Sequence, residues 1–312
     1  MYEGEFPTIG KWGGEAWQIR RLADRNVKTW SASNPSIARG GDGRLLTTIR
    51  SSNYVIAPAS GQLYVTEGGP IKTRVWMSWV SDDLTISEPK QVAIRDWEEF
   101  RFVRGVEDAK PFWVDGQWFF TGVVLEREQN IARQGLFVFD PDKLRAEMVA
   151  LYPGKRKLKP EKNWMYIPGT KPFDFVYGPD CVLSGGKFRD IKKSRKVPDD
   201  LRGTSHIVET SIGLIGMGHQ LYTKRVRSYN AMTFGYQDGL LKDYTHRFVL
   251  YKPNGEIEAT TPEFRFYGPG IEFASGLIEH GGKLVVSFGV EDITSHLATI
   301  DVKKIEKKLR PV

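Results

Sequence analysis

The sequence holds a single cysteine, Cys181, and only five histidines among its 312 residues. One cysteine rules out an intrachain disulfide and supplies no thiolate set for zinc. The histidines show neither HExxH nor any other paired ligand spacing, so no metal site built from cysteine or histidine is expected, while an oxygen-bound ion on an axis stays open. No apolar run approaches the roughly 20 residues that a membrane-spanning helix needs. The opening MYEGEFPTIGKWGGEAWQIRRL has no apolar stretch behind a basic start, and the expectation is a cytoplasmic protein without a secretory leader. Also missing are GxxxxGK[ST], GxSxG and GxGxxG, which disfavours P-loop hydrolysis, esterase chemistry and dinucleotide redox chemistry. Helical periodicity is scarce: only PDKLRAEMVAL at 141–151 and VKKIEKKL at 302–309 read as helix candidates.

What is present points to β structure. Hydrophobic residues make up 40% and charged residues 27%, enough apolar material for a full core. Aromatics reach 12% and glycines number 32, a composition of short strands and tight turns. Strand-length apolar or alternating runs recur at 45–50 (LLTTIR), 73–80 (TRVWMSWV), 110–114 (KPFWV), 117–125 (QWFFTGVVL) and 135–140 (GLFVFD). They continue at 206–210 (HIVET), 212–219 (IGLIGMGH), 247–252 (RFVLYK), 273–279 (FASGLIE), 283–288 (KLVVSF) and 296–302 (HLATIDV). The pairs Asp115-Gly116, Asn254-Gly255 and Gly281-Gly282 supply the dipeptides that hairpin turns favour.

The tetrapeptide GVED occurs twice, at 105–108 and 289–292, each time beside strand-like sequence. The expectation is equivalent positions in repeated four-stranded units. No linker divides the chain. The fold class expected is all-β: a single-domain five-bladed β-propeller over 1–312, with 1–30 and 303–312 as flanking or closing segments. The net charge of +7 and pI near 9.3 favour anionic partners such as phosphates and sugar nucleotides. Nucleic acid is disfavoured, because neither an RNP motif nor a zinc-finger pattern is present. The basic residues gather at 155–162, 187–196 and 303–310; the first two runs read as loops, either solvated or facing an anionic ligand.

Four segments occur in a telling order: Asn34-Pro35-Ser36-Ile37, Glu107-Asp108-Ala109-Lys110-Pro111, Glu161-Lys162-Asn163-Trp164 and Gly289-Val290-Glu291-Asp292. Together they resemble the five-bladed propeller glycosidases, especially glycoside hydrolase family 130, which contains the mannoside phosphorylases. EKNW, His246-Arg247-Phe248 and EFASGL at 272–277 are similar to related propellers associated with glycosyltransferases. The resemblance spans about residues 34–301. It implies a glycan or glycosyl-phosphate ligand, no cofactor, and inorganic phosphate as a possible co-substrate. The family's phosphate-holding side chains would correspond to Arg50, Lys162, and His206 or His219. Two departures stand out. Ala109-Lys110 occupies the place of the Pro-Arg of an EDPR motif, and TGVVLE at 121–126 lacks the Asp that serves the phosphorylases as general acid; Glu126 is the nearest carboxyl.

Cleaving or forming a glycosidic bond needs carboxyl groups around the sugar, one to protonate the departing oxygen and another to activate the nucleophile or steady positive charge. Asp108 and Asp292 are the first catalytic candidates, with turn-capping beside glycine as the structural alternative. In an extended segment Glu107 and Glu291 should point away from them. Glu209, inside the apolar HIVET, is a third catalytic candidate, since burial there would raise its pKa. Candidate substrate or phosphate contacts are Arg50, Asn53, Arg104, Lys162, Asn163, Trp164, His206, His219 and Arg247. Trp164 offers a flat face for a sugar ring. Three functions stay open: glycoside hydrolase or phosphorylase, sugar-nucleotide glycosyltransferase or accessory module, and non-catalytic glycan-binding propeller.

Overall fold

The computed structural model describes residues 6–19, 30–56, 63–66, 69–95, 104–126, 131–152, 162–169, 173–230 and 235–312. Five antiparallel sheets stand around one axis as the blades of a propeller, and their strands follow one another outward from the axis. Blade 1 runs from Ser31–Arg39 through Leu45–Ser52 and Thr73–Val80 to Lys90–Gln91. Blade 2 runs from Glu107–Val114 through Gln117–Glu126 and Ile131–Asp140 to Arg145–Tyr152, and Ala93–Arg95 adds a parallel edge strand. Blade 3 comprises Met165–Tyr166, Phe175–Tyr177, Cys181–Ser184 and Lys187–Asp190. Blade 4 begins with two short pieces, Arg202–Gly203 and Val208–Thr210, and continues into the long pair Gly213–Asn230 and Gly235–Tyr251, then Ile257–Thr260. Blade 5 is built from Glu272–His280, Lys283–Val290 and Thr294–Asp301.

Both chain ends complete sheets. Glu15–Gln18 pairs with Thr294–Asp301 as the outermost strand of blade 5, so the first segment of the chain closes the last blade. At the other end, the helix Val302–Glu306 leads to Arg310–Pro311, which pairs with blade 4.

Blades are covered on both faces, which explains why runs such as Leu45–Ser52 are buried throughout rather than alternating. Five apolar cores follow, one between each neighbouring pair of blades. Ala38, Leu46 and Met77 meet Phe120 and Phe137 between blades 1 and 2. Phe112 and Leu136 meet Trp164 and Phe175 between blades 2 and 3. Met165 and Val182 meet Ile207 and Val249, and Phe248 and Phe264 meet Phe288. Ile37 and Leu45 meet Ile278 and Val285 where the ring shuts.

That last seam is also stitched by hydroxyls. Ser36 donates to the Ser275 carbonyl (2.8 Å), Ser275 to the Pro35 carbonyl (2.7 Å), and the Ile37 N–H to Ser287 Oγ (2.9 Å). Blade 5 can approach this closely only because its facing residues are glycines. A Cβ on Gly276 would lie 2.2 Å from the Ile37 nitrogen, and one on Gly289 would lie 2.1 Å from Asn34 Oδ1.

Several expectations need correction. Residues 141–151 form no helix: 141–144 make a turn, and Arg145–Tyr152 is a strand whose Ala146 and Met148 point inward between exposed Arg145, Glu147 and Val149. That spacing has period two, and pairing with Ile131–Asp140 satisfies the backbone. The two GVED segments are not equivalent. Glu107-Asp108 opens the innermost strand of blade 2, whereas Glu291-Asp292 forms the turn between the second and third strands of blade 5. Of the basic runs, 155–161 lies outside the described residues, and 187–190 is the outer strand of blade 3.

Gly289→Ala is expected to lower the free energy of unfolding by about 1–3 kcal/mol through overpacking against Asn34. Gly268→Ala, whose added Cβ meets nothing within 4 Å, is expected to stay within about 0.5 kcal/mol of the wild type. Urea denaturation of the two variants checks both values.

Candidate active site

At one mouth of the axis, Asn34 reaches across two blade boundaries. Its Nδ2 donates to Asp108 Oδ1 of blade 2 (2.9 Å) and to Asp292 Oδ1 of blade 5 (3.2 Å). Arg50, on the second strand of blade 1, donates from Nη1 to the same Asp108 oxygen (3.1 Å) and from Nη2 to the Tyr54 hydroxyl. The Tyr54 hydroxyl donates to Asp292 Oδ2 (3.1 Å). Glu107 lies 4.0 Å from Arg50 and 3.7 Å from Lys162.

Local backbone geometry produces this convergence. Among the described residues eight non-glycines have positive φ, and five of them are Asn34, Asp108, Asn163, Glu291 and Asp292. Asn and Asp enter the left-handed region more readily than other side chains. At Asp108 this kink breaks the strand's alternation, and the register with Gln117–Glu126 shifts between Thr121 and Val123. Glu107 and Asp108 therefore both face the cluster, contrary to the expectation for Glu107. Glu291 does turn away, accepting from the Ile271 N–H (3.0 Å). Glu291 and Asp292 are the two central residues of a hairpin turn that needs positive φ at both positions.

The charges of the cluster are set by burial and neighbours. Burial opposes ionisation of Asp108, but Arg50, the Asn34 hydrogen bond, Lys162 and Lys110 outweigh it and hold the carboxyl below the usual range. Burial likewise opposes the Arg50 charge, and Tyr54 with Glu107, Asp108 and Asp292 keeps the guanidinium firmly protonated. Burial pushes the Tyr54 phenol far up, so it remains a donor.

Lys110 differs. It is 2% exposed, its ammonium donates only weakly to Asn163 Oδ1 (3.5 Å), and it lies 5.6 Å from the Phe273 ring centre. Burial pulls its pKa down to about 8, with Asp108 opposing only in part. Nearby His219 is buried between Tyr244 and Phe273, and its Nδ1 has no hydrogen-bond partner among the described residues. Burial, His246, Arg202 and Lys110 together keep it neutral. Carboxylates thus gather where blades 5, 1 and 2 meet, while Lys162, Asn163, His219 and Arg202 come from blades 3 and 4 across the axis.

Other candidates sit elsewhere. Glu209 is exposed at the opposite mouth of the axis, because Val208–Thr210 is the far end of its innermost strand. Trp164 is 1% exposed, packed among Tyr152, Phe175, Tyr177 and Phe188 as a core residue rather than a sugar platform. His206 is a buried pin: its Nδ1 accepts from the Tyr166 N–H, and its Nε2 lies 3.0 Å from the Lys110 carbonyl and 3.2 Å from Thr121 Oγ1. Burial and Lys110 lower its pKa to about 3, so it carries no charge for phosphate. Arg247 is spent on Glu263 (3.1 Å), Gln220 and the Thr261 carbonyl on the outer side of blade 4. Asn53 uses its amide on the Pro70 carbonyl and the Lys72 N–H. Arg104 lines a separate cleft beside Lys72 and Gln91, and Arg50 takes the neutralising place against Asp108. The side chain of Glu126 lies outside the described residues. Asn34, Tyr54, Lys110, Arg202 and Tyr244 were not among the candidates. Two signs of Lys110 were visible: a lysine inside the apolar KPFWV, and its place at the Arg position of the EDPR-like segment.

No protein-family model matches the chain, and no curated protein matches it in sequence. Solved structures do match. One is a β-1,2-mannobiose phosphorylase from Listeria innocua in complex with β-1,2-mannobiose (12% identity, 95% of this chain and 99% of that chain covered, TM-score 0.64). Another is a mannose phosphorylase from Leishmania mexicana with a phosphate ion (11%, 97% and 94%, 0.54). A third is a GDP-Man-dependent mannosyltransferase from the same organism (16%, 92% and 90%, 0.50). At these identities the likeness defines the fold: a five-bladed β-propeller of the kind found in the glycoside hydrolase family 130 mannoside phosphorylases.

Lys110 yields a signed prediction. Its folded pKa of about 8 lies below the unfolded value near 10.5, so the unfolded chain binds more protons between those two pH values. The destabilisation is complete below pH 8 and fades as pH rises toward about 10.5. Lys110→Met is expected to exceed the wild type by about 2–3 kcal/mol at pH 7, with the gap closing toward pH 10. Denaturation of both proteins across this pH range checks it.

Proposed function

We propose that the chain is a carbohydrate-active enzyme that breaks or forms a glycosidic bond in the axial cleft, with phosphate or a phosphoryl group as the anionic reactant. The observation that carries this reading is the single Asn34 amide nitrogen bonded to both Asp108 and Asp292. Two carboxylates on one nitrogen stand on the same side of a ligand. Such a pair is too close to enclose the water of an inverting hydrolase, whose carboxyls stand about 6.5–9.5 Å apart. It suits gripping sugar hydroxyls and steadying positive charge at the anomeric carbon. Phosphate, unlike water, arrives as a ready nucleophile and needs no protein base.

Lys110 beside Asp108, and the groups across the axis, support the anionic half of this reading. Lys110 is a buried charge without a carboxylate in contact among the described residues, a costly arrangement that an anion would relieve. His219 has a free ring nitrogen beside it, and Arg202 adds a further charge. A phosphate oxygen attacks the anomeric carbon from this side as the bond to the departing oxygen breaks. Asp108, fixed as a carboxylate by Arg50, offsets the charge that develops. Asp292, which makes no ion pair among the described residues, is the carboxyl assigned to hold a proton and pass it to the departing oxygen; the proton released by the incoming phosphate restores it. The products are a glycosyl phosphate and a free sugar hydroxyl. The folds shared with mannose-specific phosphorylases and a mannosyltransferase support mannosides as the first substrates to try.

With β-1,2-mannobiose and other oligomannosides, turnover is expected only when phosphate is present, with release of mannose 1-phosphate. Asp108→Asn should lower kcat/KM by about 10³-fold with unfolding stability largely retained. Equal turnover without phosphate would discard the phosphorolytic part. Absence of turnover, with sugar binding unchanged in Asp108→Asn, would discard the enzyme reading.

A further inference from the structure

Blade 4 carries a ribbon longer than its blade requires. Gly213–Asn230 and Gly235–Tyr251 pair continuously from Leu214↔Tyr251 to Asn230↔Gly235. The inner neighbour supports this pair only as far as Arg202↔His219, and the outer strand pairs only with residues 249–251. Beyond Leu221↔Tyr244 the ribbon rises from the mouth that holds Asp108 and Asp292.

Directly opposed residues share a face and successive residues alternate. One face of the described ribbon thus bears Gln220, Tyr222, Asp243 and Thr245. Its groups are spent on the blade: Gln220 donates to Asp200 (3.0 Å), Tyr222 and Thr245 donate to Glu263 (2.8 and 2.6 Å), and Asp243 accepts from Arg265. The other face continues from His219 through Tyr244 to Thr223, Lys242, Arg225 and Leu240. It faces the axis, since His219 packs on Tyr244 and on Phe273 of blade 5. Here Arg225 and Lys242 are exposed and make no ion pair among the described residues, and Leu240 is 42% exposed. The one ribbon acid whose side chain is described, Asp243, lies on the outward face together with exposed Lys224, and the inward face keeps Arg225 and Lys242 without an acid partner among the described residues, beside Leu240.

We propose that this inward face is a subsite for a phosphoryl group joined to a larger body, extending the anion side of the axial cleft outward along Lys242 and Arg225. The inference rests on the reading of the axial cleft given above and names the class of ligand it takes. Scale supports it. Tyr244 to Leu240 spans about 13 Å at 3.3–3.4 Å per residue, so an orthophosphate ion at the Lys110 end cannot touch Arg225, whereas a phosphate ester with a sugar or nucleoside attached can reach both. Leu240 and Tyr244 then offer apolar contact to that body.

Calorimetry separates the possibilities with three probes: inorganic phosphate, GDP, and an oligomannoside bearing a terminal phosphate monoester. The double variant Arg225→Glu/Lys242→Glu is expected to weaken at least one organic phosphate about tenfold or more at low salt, with orthophosphate affinity unchanged. Lys224→Glu, on the opposite face, should leave all three as in the wild type. Whichever organic probe loses affinity identifies the body attached to the phosphoryl group. The proposal is overturned if neither probe weakens in the double variant, or if orthophosphate weakens equally. Orthophosphate binding without either organic probe in the wild type overturns this subsite alone. If Lys110→Met leaves orthophosphate binding intact, the axial reading fails instead.

Discussion

Closing the ring forces two carboxylates together, and the Asn34 amide is the group that makes their proximity tolerable. Asp292 is brought to Asp108 only because blade 5 shuts against blade 1, along a seam of serine hydroxyls and glycine contacts. Two ionised carboxyls at that distance would repel strongly in a medium of low dielectric. One amide nitrogen bonded to both, a buried guanidinium on Asp108 and a phenol on Asp292 compensate for this. Fold closure and site assembly are therefore one event. The same glycines that let the backbones meet also let the amide lie between the acids.

Backbone strain is concentrated at the same place. Asn34, Asp108 and Asn163 each take left-handed conformations at or just before the innermost strands of blades 1, 2 and 3, and Glu291 and Asp292 do so in the blade 5 turn. A regular strand sends alternate side chains to opposite faces. The kinks defeat that rule, so Glu107 and Asp108 contribute to one cluster. Strain of this kind costs of order 1–3 kcal/mol per residue and persists where the surroundings over-determine it; here the inter-blade cores on either side of each strand do so.

The blades were legible in the sequence because each strand leaves a local trace: period-two or wholly apolar runs of strand length, separated by turn dipeptides. Asp115-Gly116 and Gly281-Gly282 do adopt the positive φ values that such pairs supply. The site was legible only in part. Asp108 and Asp292 were visible as acids beside glycine, but which face of a strand a residue takes depends on kinks that no local pattern records. Trp164 and His206 were read as ligand contacts because their types bind sugars and anions, yet both lie inside cores, where an indole adds area and a neutral imidazole can join three blades. Glu209 was misread because HIVET looks like a buried strand, although its polar end emerges at the wrong mouth. Arg247 fell to a partner, Glu263, that sequence distance concealed.

The distribution of charge around the axis carries the argument further than the net charge does. Every other deeply buried charge described in the cluster has an opposite partner: Arg50 has Asp108, and Asp108 has Arg50 with Asn34. The buried histidines meet the same low dielectric by staying neutral. Lys110 does neither, holding a proton near neutral pH with only a weak amide acceptor. A side chain that lowers the stability of its own fold is understandable where it meets a charge that arrives with the ligand. Lys110 stands where the carboxylates of blades 2 and 5 give way to the cations of blades 3 and 4, so on the proposed reading the relieving charge is negative and enters from the side on which the blade 4 ribbon rises.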